Sequence, residues 1–307
     1  MSEFRNPLHR RKLKSHNLPL KHYSKPEVSR EIIDFCRNRW VAVHCVHPSG
    51  KLIFRRYRDR VHPLKISSTL EFRSLIEGFQ QCQVRSIYAS IAVYRKLERV
   101  DDAYDLSLMA SITPTWDIDS SLAYWREVVA IAREIISFLE KHGVASSVFI
   151  KWSGNGCHVH IHEGAFSSDI LEKHHPLDLA YAIVEYTNLK LASKFVELSP
   201  NGKTVVENKI DPARVFTVPL SLHRELDVVC ICMKPNHLDS FTPSWVDPEN
   251  FKHDPSWRRF VEGEADELAE KAYETIGGYP ILKERRRKRK HPPLDEQIKK
   301  WLEKFNG

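Results

Sequence analysis

Asp117 and Asp119, in the stretch WDIDS from Trp116 to Ser120, would stand on the same side of an extended segment, because successive strand side chains alternate between faces. Carboxylates held that close repel one another, so the arrangement is costly unless a cation lies between them. Hard oxygen ligands of this kind suit Mg²⁺ or Mn²⁺, ions that hold substrate phosphates. The plainer alternative is a cap, since Asp119 stands just before a helical pattern. A third carboxylate, Asp211, opens DPARVFTVPLSLH, a segment that ends with Ser221 and His223. Asp211 could equally begin a turn before Pro212.

A second group of reactive residues lies in KWSGNGCHVHIHEG, Lys151 to Gly164. On a strand, Cys157, Val159 and Ile161 share one face and suit a core, while His158, His160 and His162 share the other. The turn before them, with Ser153, Gly154 and Gly156, offers backbone N–H groups without side-chain obstruction, which favours anions. His158 follows at once, placed to donate a hydrogen bond to a phosphate. Two other readings stay open: histidines satisfied within a core, or a zinc site built from the row of three, as in a zinc-dependent hydrolase.

These residues need elements to carry them. SKPEVSREIIDFCRNRW reads as a helix with Pro26 in its first turn. WVAVHCVH and KLIFRRYR flank Pro48-Ser49-Gly50 as a hairpin. TLEFRSLIEGFQQC has apolar residues at helical spacing, and SIYASIAVY is a β-branched and aromatic strand. YDLSLMASITPTWDIDS is extended and ends in the aspartates. SSLAYWREVVAIAREIISFLEKHG is the clearest helix, with Ser120 or Ser121 as its cap and Gly143 as its end. VASSVFIKW, SGNG and CHVHIHE follow as strand, turn and strand. LDLAYAIVEYTNLKLASKF is helical, RVFTVPLSLH and DVVCICM are extended, and a polar helix covers Glu262 to Ile276. Helices alternating with strands and hairpins give an α+β, or mixed α/β, class.

The ordered set of DID, SGNGCH on a hairpin and DPAR…VPLSLH resembles the archaeo-eukaryotic primase superfamily, which includes the small catalytic subunits of primases and the prim-pol enzymes. The motifs span Asp117 to His223, about the central third of the chain. The resemblance implies an RRM-like antiparallel sheet beside a smaller α/β module. It implies Asp117, Asp119 and Asp211 as catalytic ligands of two divalent ions, Mg²⁺ or Mn²⁺. It also implies that Ser153, Gly154, Gly156, His158, Arg214, Ser221, His223 and Arg224 line the nucleotide site. The function implied is template-dependent nucleotidyl transfer, as a DNA primase or primase-polymerase. Its partners would be a single-stranded template or primer-template, dNTP or NTP, and a replication subunit or helicase. The alternative within the family is a weakly active or inactive nucleic-acid-binding subunit. There are departures: Thr217 stands where the family often has Arg, and Leu220 where it has Gly after the proline. After the His the family usually runs into a Lys; here Arg224 follows His223 at once, then Glu225.

The chain of 307 residues is 42% hydrophobic and 28% charged, a globular composition. Its net charge of +7 is concentrated at the ends. Residues 1–24 carry six Lys/Arg against Glu3, and KERRRKRKH, Lys283 to His291, carries seven against Glu284. Such runs attract phosphate backbones without reading sequence. The expected organisation is a flexible basic arm over 1–24, a catalytic domain over 25–282, and a basic linker with a short amphipathic helix over 283–307. The six cysteines are scattered with no CxxC pair. HCVH, His44 to His47, could supply half of a structural zinc site, with no second half at matching spacing. No apolar run is long enough to span a bilayer and the N-terminus lacks the apolar segment of a secretory signal. The expectation is therefore a cytoplasmic protein, nucleoid-associated or carried by a plasmid or virus.

Overall fold

The structure is a computed structural model that describes residues 18–79 and 81–280. Two helices open it. In α1 (Leu18–Tyr23), His22 and Tyr23 turn inward. In α2 (Pro26–Cys36), Pro26 occupies the first turn, where its missing N–H costs nothing, and Val28, Ile32 and Cys36 are buried at helical spacing. The basic arm expected over 1–24 thus departs from expectation in its last part: Leu18–Tyr23 is helical because His22 and Tyr23 have buried partners. The rest of that arm and the segment 283–307 lie outside the described residues.

A first sheet follows. β1 (Arg39–Val46) and β2 (Leu52–Arg55) form the expected hairpin, with Val43 opposite Arg55. Helix α3 (Thr69–Gly78) is capped by Ser68, whose hydroxyl accepts from Glu71 N–H at 3.2 Å. It returns the chain to β3 (Gln83–Tyr94), which pairs antiparallel with β1 on one edge. The other edge of β3 takes β4 (Met109–Ile112) and, further along, β9 (Val215–Thr217).

The second sheet runs in the order β10-β6-β7-β5-β8, antiparallel throughout. Its strands are β5 (Thr115–Asp119), β6 (Val148–Trp152), β7 (Cys157–Ile161), β8 (Val205–Asn208) and β10 (Ile231–Met233). Helix α4 (Trp125–Lys141) packs against β5 and β7, and α6 (Pro176–Leu198) against β8, α4 and α7 (Asp266–Ile276). The short helix α5 (Ser168–Lys173) precedes α6. The architecture is α+β, with two antiparallel sheets sharing one continuous apolar core. No helix among the described residues is long and apolar enough to cross a membrane.

Two local departures concern the site. The helix expected from Ser120 begins at Trp125, after a 3₁₀ turn over Leu122–Tyr124. Ser120 does not cap it; its hydroxyl meets Thr204 Oγ1 at 2.9 Å. RVFTVPLSLH is a strand only over Val215–Thr217: Val218 N–H still meets the Ile87 carbonyl at 3.1 Å, Pro219 has no N–H to continue the ladder, and Leu220 then takes φ +60°, the left-handed region that glycine favours.

Candidate active site

β5 lies between β7 and β8, and its register sets Asp117 opposite His158 on one side and opposite Glu207 on the other. β6 in turn sets Lys151 opposite His158. Residues directly opposite in a ladder share a face, so Lys151, His158, Asp117 and Glu207 form one row across four strands. His158 Nε2 is 3.1 Å from Asp117 Oδ1, and both side chains are buried. The His158 ring packs on Phe216 of β9 at 4.5 Å, so this face meets the first sheet. Burial lowers the pKa of His158 more than its bond to Asp117 raises it, which keeps the imidazole neutral with its Nε2–H donating to the carboxylate. Burial alone would raise Asp117, but His158 and Lys209 outweigh it and bring the carboxyl down to about 2.

Lys209, just beyond β8, closes the group. Its Nζ is 2.7 Å from Asp117 Oδ2, 2.5 Å from Asp119 Oδ2 and 3.0 Å from Glu207 Oε2. Partial burial opposes the ammonium, yet the carboxylates raise its pKa well above the usual lysine value. Asp119 and Glu207 are 63% and 50% exposed, so the cluster opens to solvent on this side. Asp211 faces elsewhere: Arg214 Nη2 lies 2.6 Å from its Oδ2, and Oδ1 accepts from Ala213 N–H at 2.9 Å. Arg214 also donates through Nε to the Lys209 carbonyl at 2.7 Å.

This arrangement differs from the ligand set expected of Asp117, Asp119 and Asp211. Three carboxylate oxygens do converge on a point, with the hard-oxygen chemistry of a divalent ion, but Lys209 holds that point and Asp211 is turned to Arg214. Among the described residues no group of three or more His, Cys, Asp or Glu is arranged to hold a metal ion. As they stand, the residues do not fit a two-ion site. Glu207 and Lys209 were missed at the sequence level, although E-x-K-x-D from Glu207 to Asp211 carries the period-two signal of an extended segment.

The glycine turn joins the third motif to the first. A Cβ at Gly156 would lie 2.0 Å from the Ile118 carbonyl oxygen, so only glycine lets the turn approach the end of β5 between the two aspartates. Gly154, at φ +141°, lies under the His223 ring, 2.7 Å from where its Cβ would be. His223 Nδ1 accepts from the N–H groups of Glu225 and Leu226 at 3.1 and 3.0 Å. Burial, with Arg224 and Arg85 nearby, lowers its pKa to about 4. Ser153, half-buried, begins the turn with its N–H on the Gly156 carbonyl.

Other candidates lie apart from this group. Ser221 is fully buried; its hydroxyl accepts from Ile87 N–H at 2.8 Å and meets the Tyr23 hydroxyl at 3.3 Å, a packing role between β3 and the Leu220 turn. Arg224 is half-exposed beside Glu225. The histidine row does not converge as a zinc site would. His160 bonds Thr115 Oγ1 at 2.9 Å and stacks on Phe149, while His162 accepts from Gly164 N–H and stacks on Phe260. In HCVH, His44 meets the Tyr88 hydroxyl and His47 the Ser49 hydroxyl, so they too diverge. All six cysteines are buried free thiols. Trp116 and Trp152 are fully buried in the core and present no face on which a base could stack.

No protein-family model and no curated protein matches the sequence. Among solved structures, the chain is similar to the polymerase domain of Mycobacterium tuberculosis Ligase D, solved in complex with DNA. The match has 14% identity and a TM-score of 0.48, and covers 84% of this chain and 88% of that one.

Proposed function

We propose that the protein is a nucleotidyltransferase of the primase–polymerase kind. It would join a nucleoside triphosphate to a 3′-hydroxyl on a single-stranded or primer-template DNA, with pyrophosphate leaving. One observation carries this reading. Three segments separated by up to a hundred residues meet at one end of the second sheet, through Asp117 on His158, Gly156 on the Ile118 carbonyl and Gly154 under His223. They are the three segments whose ordered motifs resemble the primase superfamily, and folding brings them into contact without any of them being adjacent in sequence.

The chemistry of the group suits a polyphosphate. Lys209 and Arg214 are cations beside the cluster's solvent-open side. The turn 153–156 and the neutral His223 add hydrogen-bonding groups at its other end. Charge placed in advance where phosphate oxygens gather is the main protein contribution to phosphoryl and nucleotidyl transfer. The buried Asp117–His158 pair fixes the position of the strand end on which Asp119 stands. Mg²⁺ or Mn²⁺ is what the primase resemblance implies, whereas Lys209 occupies the point that the three carboxylates share.

A second reading, a nucleic-acid-binding subunit without activity, is favoured by Lys209 and Arg214, which already neutralise Asp117, Asp119 and Asp211. The deciding experiment is template-dependent incorporation of labelled dNTPs and NTPs, with and without primer, in Mg²⁺ and in Mn²⁺, against an Asp117→Asn/Asp119→Asn control. Incorporation that the double variant loses supports the transferase. A folded wild-type chain that binds DNA and incorporates nothing supports the subunit instead.

A further inference from the structure

Far from the aspartates, α2 and α3 line an open groove of about 1000 Å³ together with Leu20 and Tyr23 of α1. α2 contributes Ser29, Ile33 and Arg37, and α3 contributes Thr69, Phe72 and Ile76. Each trio recurs at the spacing of one helix face, so two helical stripes look onto the same space. Leu20, 45% exposed, and half-buried Ile76 leave apolar surface there. Arg30 and Arg73 also line the groove and make no hydrogen bond or ion pair among the described residues. Asp34 and Glu77 supply the opposite sign. A slot between two helices, part apolar and part charged, is the setting in which a third, amphipathic helix docks.

The sequence holds such a helix pattern outside the described residues. In PPLDEQIKKWLEKF, Leu294, Ile298, Trp301, Leu302 and Phe305 fall at i, i+4, i+7, i+8 and i+11, one helix face. Pro293 precedes the pattern, Asp295 and Glu296 stand in its first turn and Lys304 in its last, as helix ends favour. Residues 294–305 would make a helix about 18 Å long, and α2 and α3, at 11 and 10 residues, are each about 15 Å. Asp295 and Lys304 flank the apolar face on opposite sides, and the groove offers Arg30 and Arg73 to one, Asp34 and Glu77 to the other. The connection is long enough. Tyr279 is tied to the body, its N–H donating to Asp178 Oδ1 at 2.8 Å. Residues 281–293 can span about 45 Å, close to the diameter of a globule of 307 residues, on the order of 50 Å.

We propose that residues 294–305 seat as a helix in the groove between α2 and α3 of the same chain, with the apolar face against Ile33, Phe72 and Ile76. The basic run 283–291 is then anchored at both ends and held along the body as a strap of positive charge. A linker of this kind gives an effective concentration on the order of 1 mM, so a segment that binds in trans with a Kd of about 10 µM is docked roughly 99% of the time. The docking rests on the groove and the segment, not on the nucleotidyl-transfer reading.

The test is hydrogen–deuterium exchange of the full chain, read by mass spectrometry over α2 and α3. In a Trp301→Glu/Phe305→Glu variant both helices should exchange about tenfold faster than in wild type, while the central strands stay unchanged. A synthetic peptide of residues 292–307 should restore slow exchange in that variant at micromolar concentration, and the same peptide carrying the two glutamates should not. Ile76→Glu in the full chain should speed exchange in α2, which does not carry the change. If Ile76→Glu unfolds, the double variant and the peptide decide, since both leave the body of the protein intact. Equal exchange in wild type and the double variant, or a peptide that binds without protecting α2 and α3, overturns the proposal. A wild-type dimer in light scattering that the double variant converts to monomer also overturns it, because the segment then seats on a second copy. No readout uses DNA or nucleotide. A chain that shows this protection and incorporates nothing would retire the nucleotidyl-transfer reading and keep the docking.

Discussion

Gly156→Ala is a sharp perturbation because its effect lands on backbone and not on a side chain that can turn away. The added Cβ would sit 2.0 Å from the Ile118 oxygen and 3.4 Å from Asp119 Cα, while real Cβ atoms essentially never come under 3.0 Å. The turn and the end of β5 must therefore part by about 1 Å. Ile118 is held by its ladder partners Cys157 and Val206, so the displacement strains two strand pairs at once. Overpacking of this kind costs about 1–3 kcal/mol, a melting point lower by several degrees in a chain of this size. The same shift moves Asp119 against His158 and Lys209, and misplacement by 1 Å near reacting groups costs on the order of a hundredfold in rate. Gly78→Ala is the control, since a Cβ there meets nothing within 4 Å. The assays are thermal melting and single-nucleotide extension. A Gly156→Ala protein that melts with the wild type and extends at its rate would refute the argument that this glycine seats the turn on the strand.

Three further outcomes follow from the packing. Glu163 is paired with Arg39 between the sheets; burial pushes its carboxyl up, but Arg39 outweighs that and brings it down to about 2. A depressed carboxylate stabilises above its unfolded value and loses that stability as pH falls. Glu163→Gln should therefore cost about 3 kcal/mol at neutral pH and flatten the acid limb between about pH 4.5 and 2 in urea titrations. Lys151 is 2% exposed, with its Nζ facing the Phe35 and Phe216 rings at 5.2 and 5.8 Å, and burial lowers its pKa. Lys151→Met should raise stability by about 1 kcal/mol, measured by urea denaturation, since a buried charge is exchanged for an apolar side chain of similar volume. At Leu220, whose φ is +60°, Leu220→Gly should be more stable than Leu220→Ala by about 1 kcal/mol in the same assay, the reverse of the order in ordinary backbone.

The fold was legible wherever one period dominated. The spacing in α2 and α4 led directly to the helices found, because burial on one face demands that periodicity, and the alternation in Cys157–Ile161 led to its strand, where both faces are buried but only one is apolar. Element ends were less legible. The α4 helix starts five residues late because Ser120 finds Thr204, a partner eighty-four residues away that no local signal reveals. In the site, the aspartate pair and the glycine turn were readable because their chemistry is local. The state of Asp211 was not, since Arg214 three residues later competes for the same carboxylate. Leu220 shows the opposite case. The resemblance marks it as a departure from glycine, yet the backbone keeps a glycine-like angle, with the Leu220 carbonyl accepting from the His22 ring at 2.8 Å. A helix at the far end of the sequence thus supports a turn that the local residue disfavours.

The site has two halves with different physical character, and the difference bears on function. Asp117 and His158 are fixed: both are buried, they stand opposite each other in a ladder, and Phe216 closes over the imidazole. Ladder register and packing leave that pair one geometry. Asp119 and Glu207 reach Lys209 at the solvent edge, where an ion pair contributes little. On the reading proposed above, a group that binds and releases a polyanion would need such a division, because precise positioning calls for burial and exchange calls for access. Lys209 bridges the halves, touching buried Asp117 and exposed Asp119 through one atom.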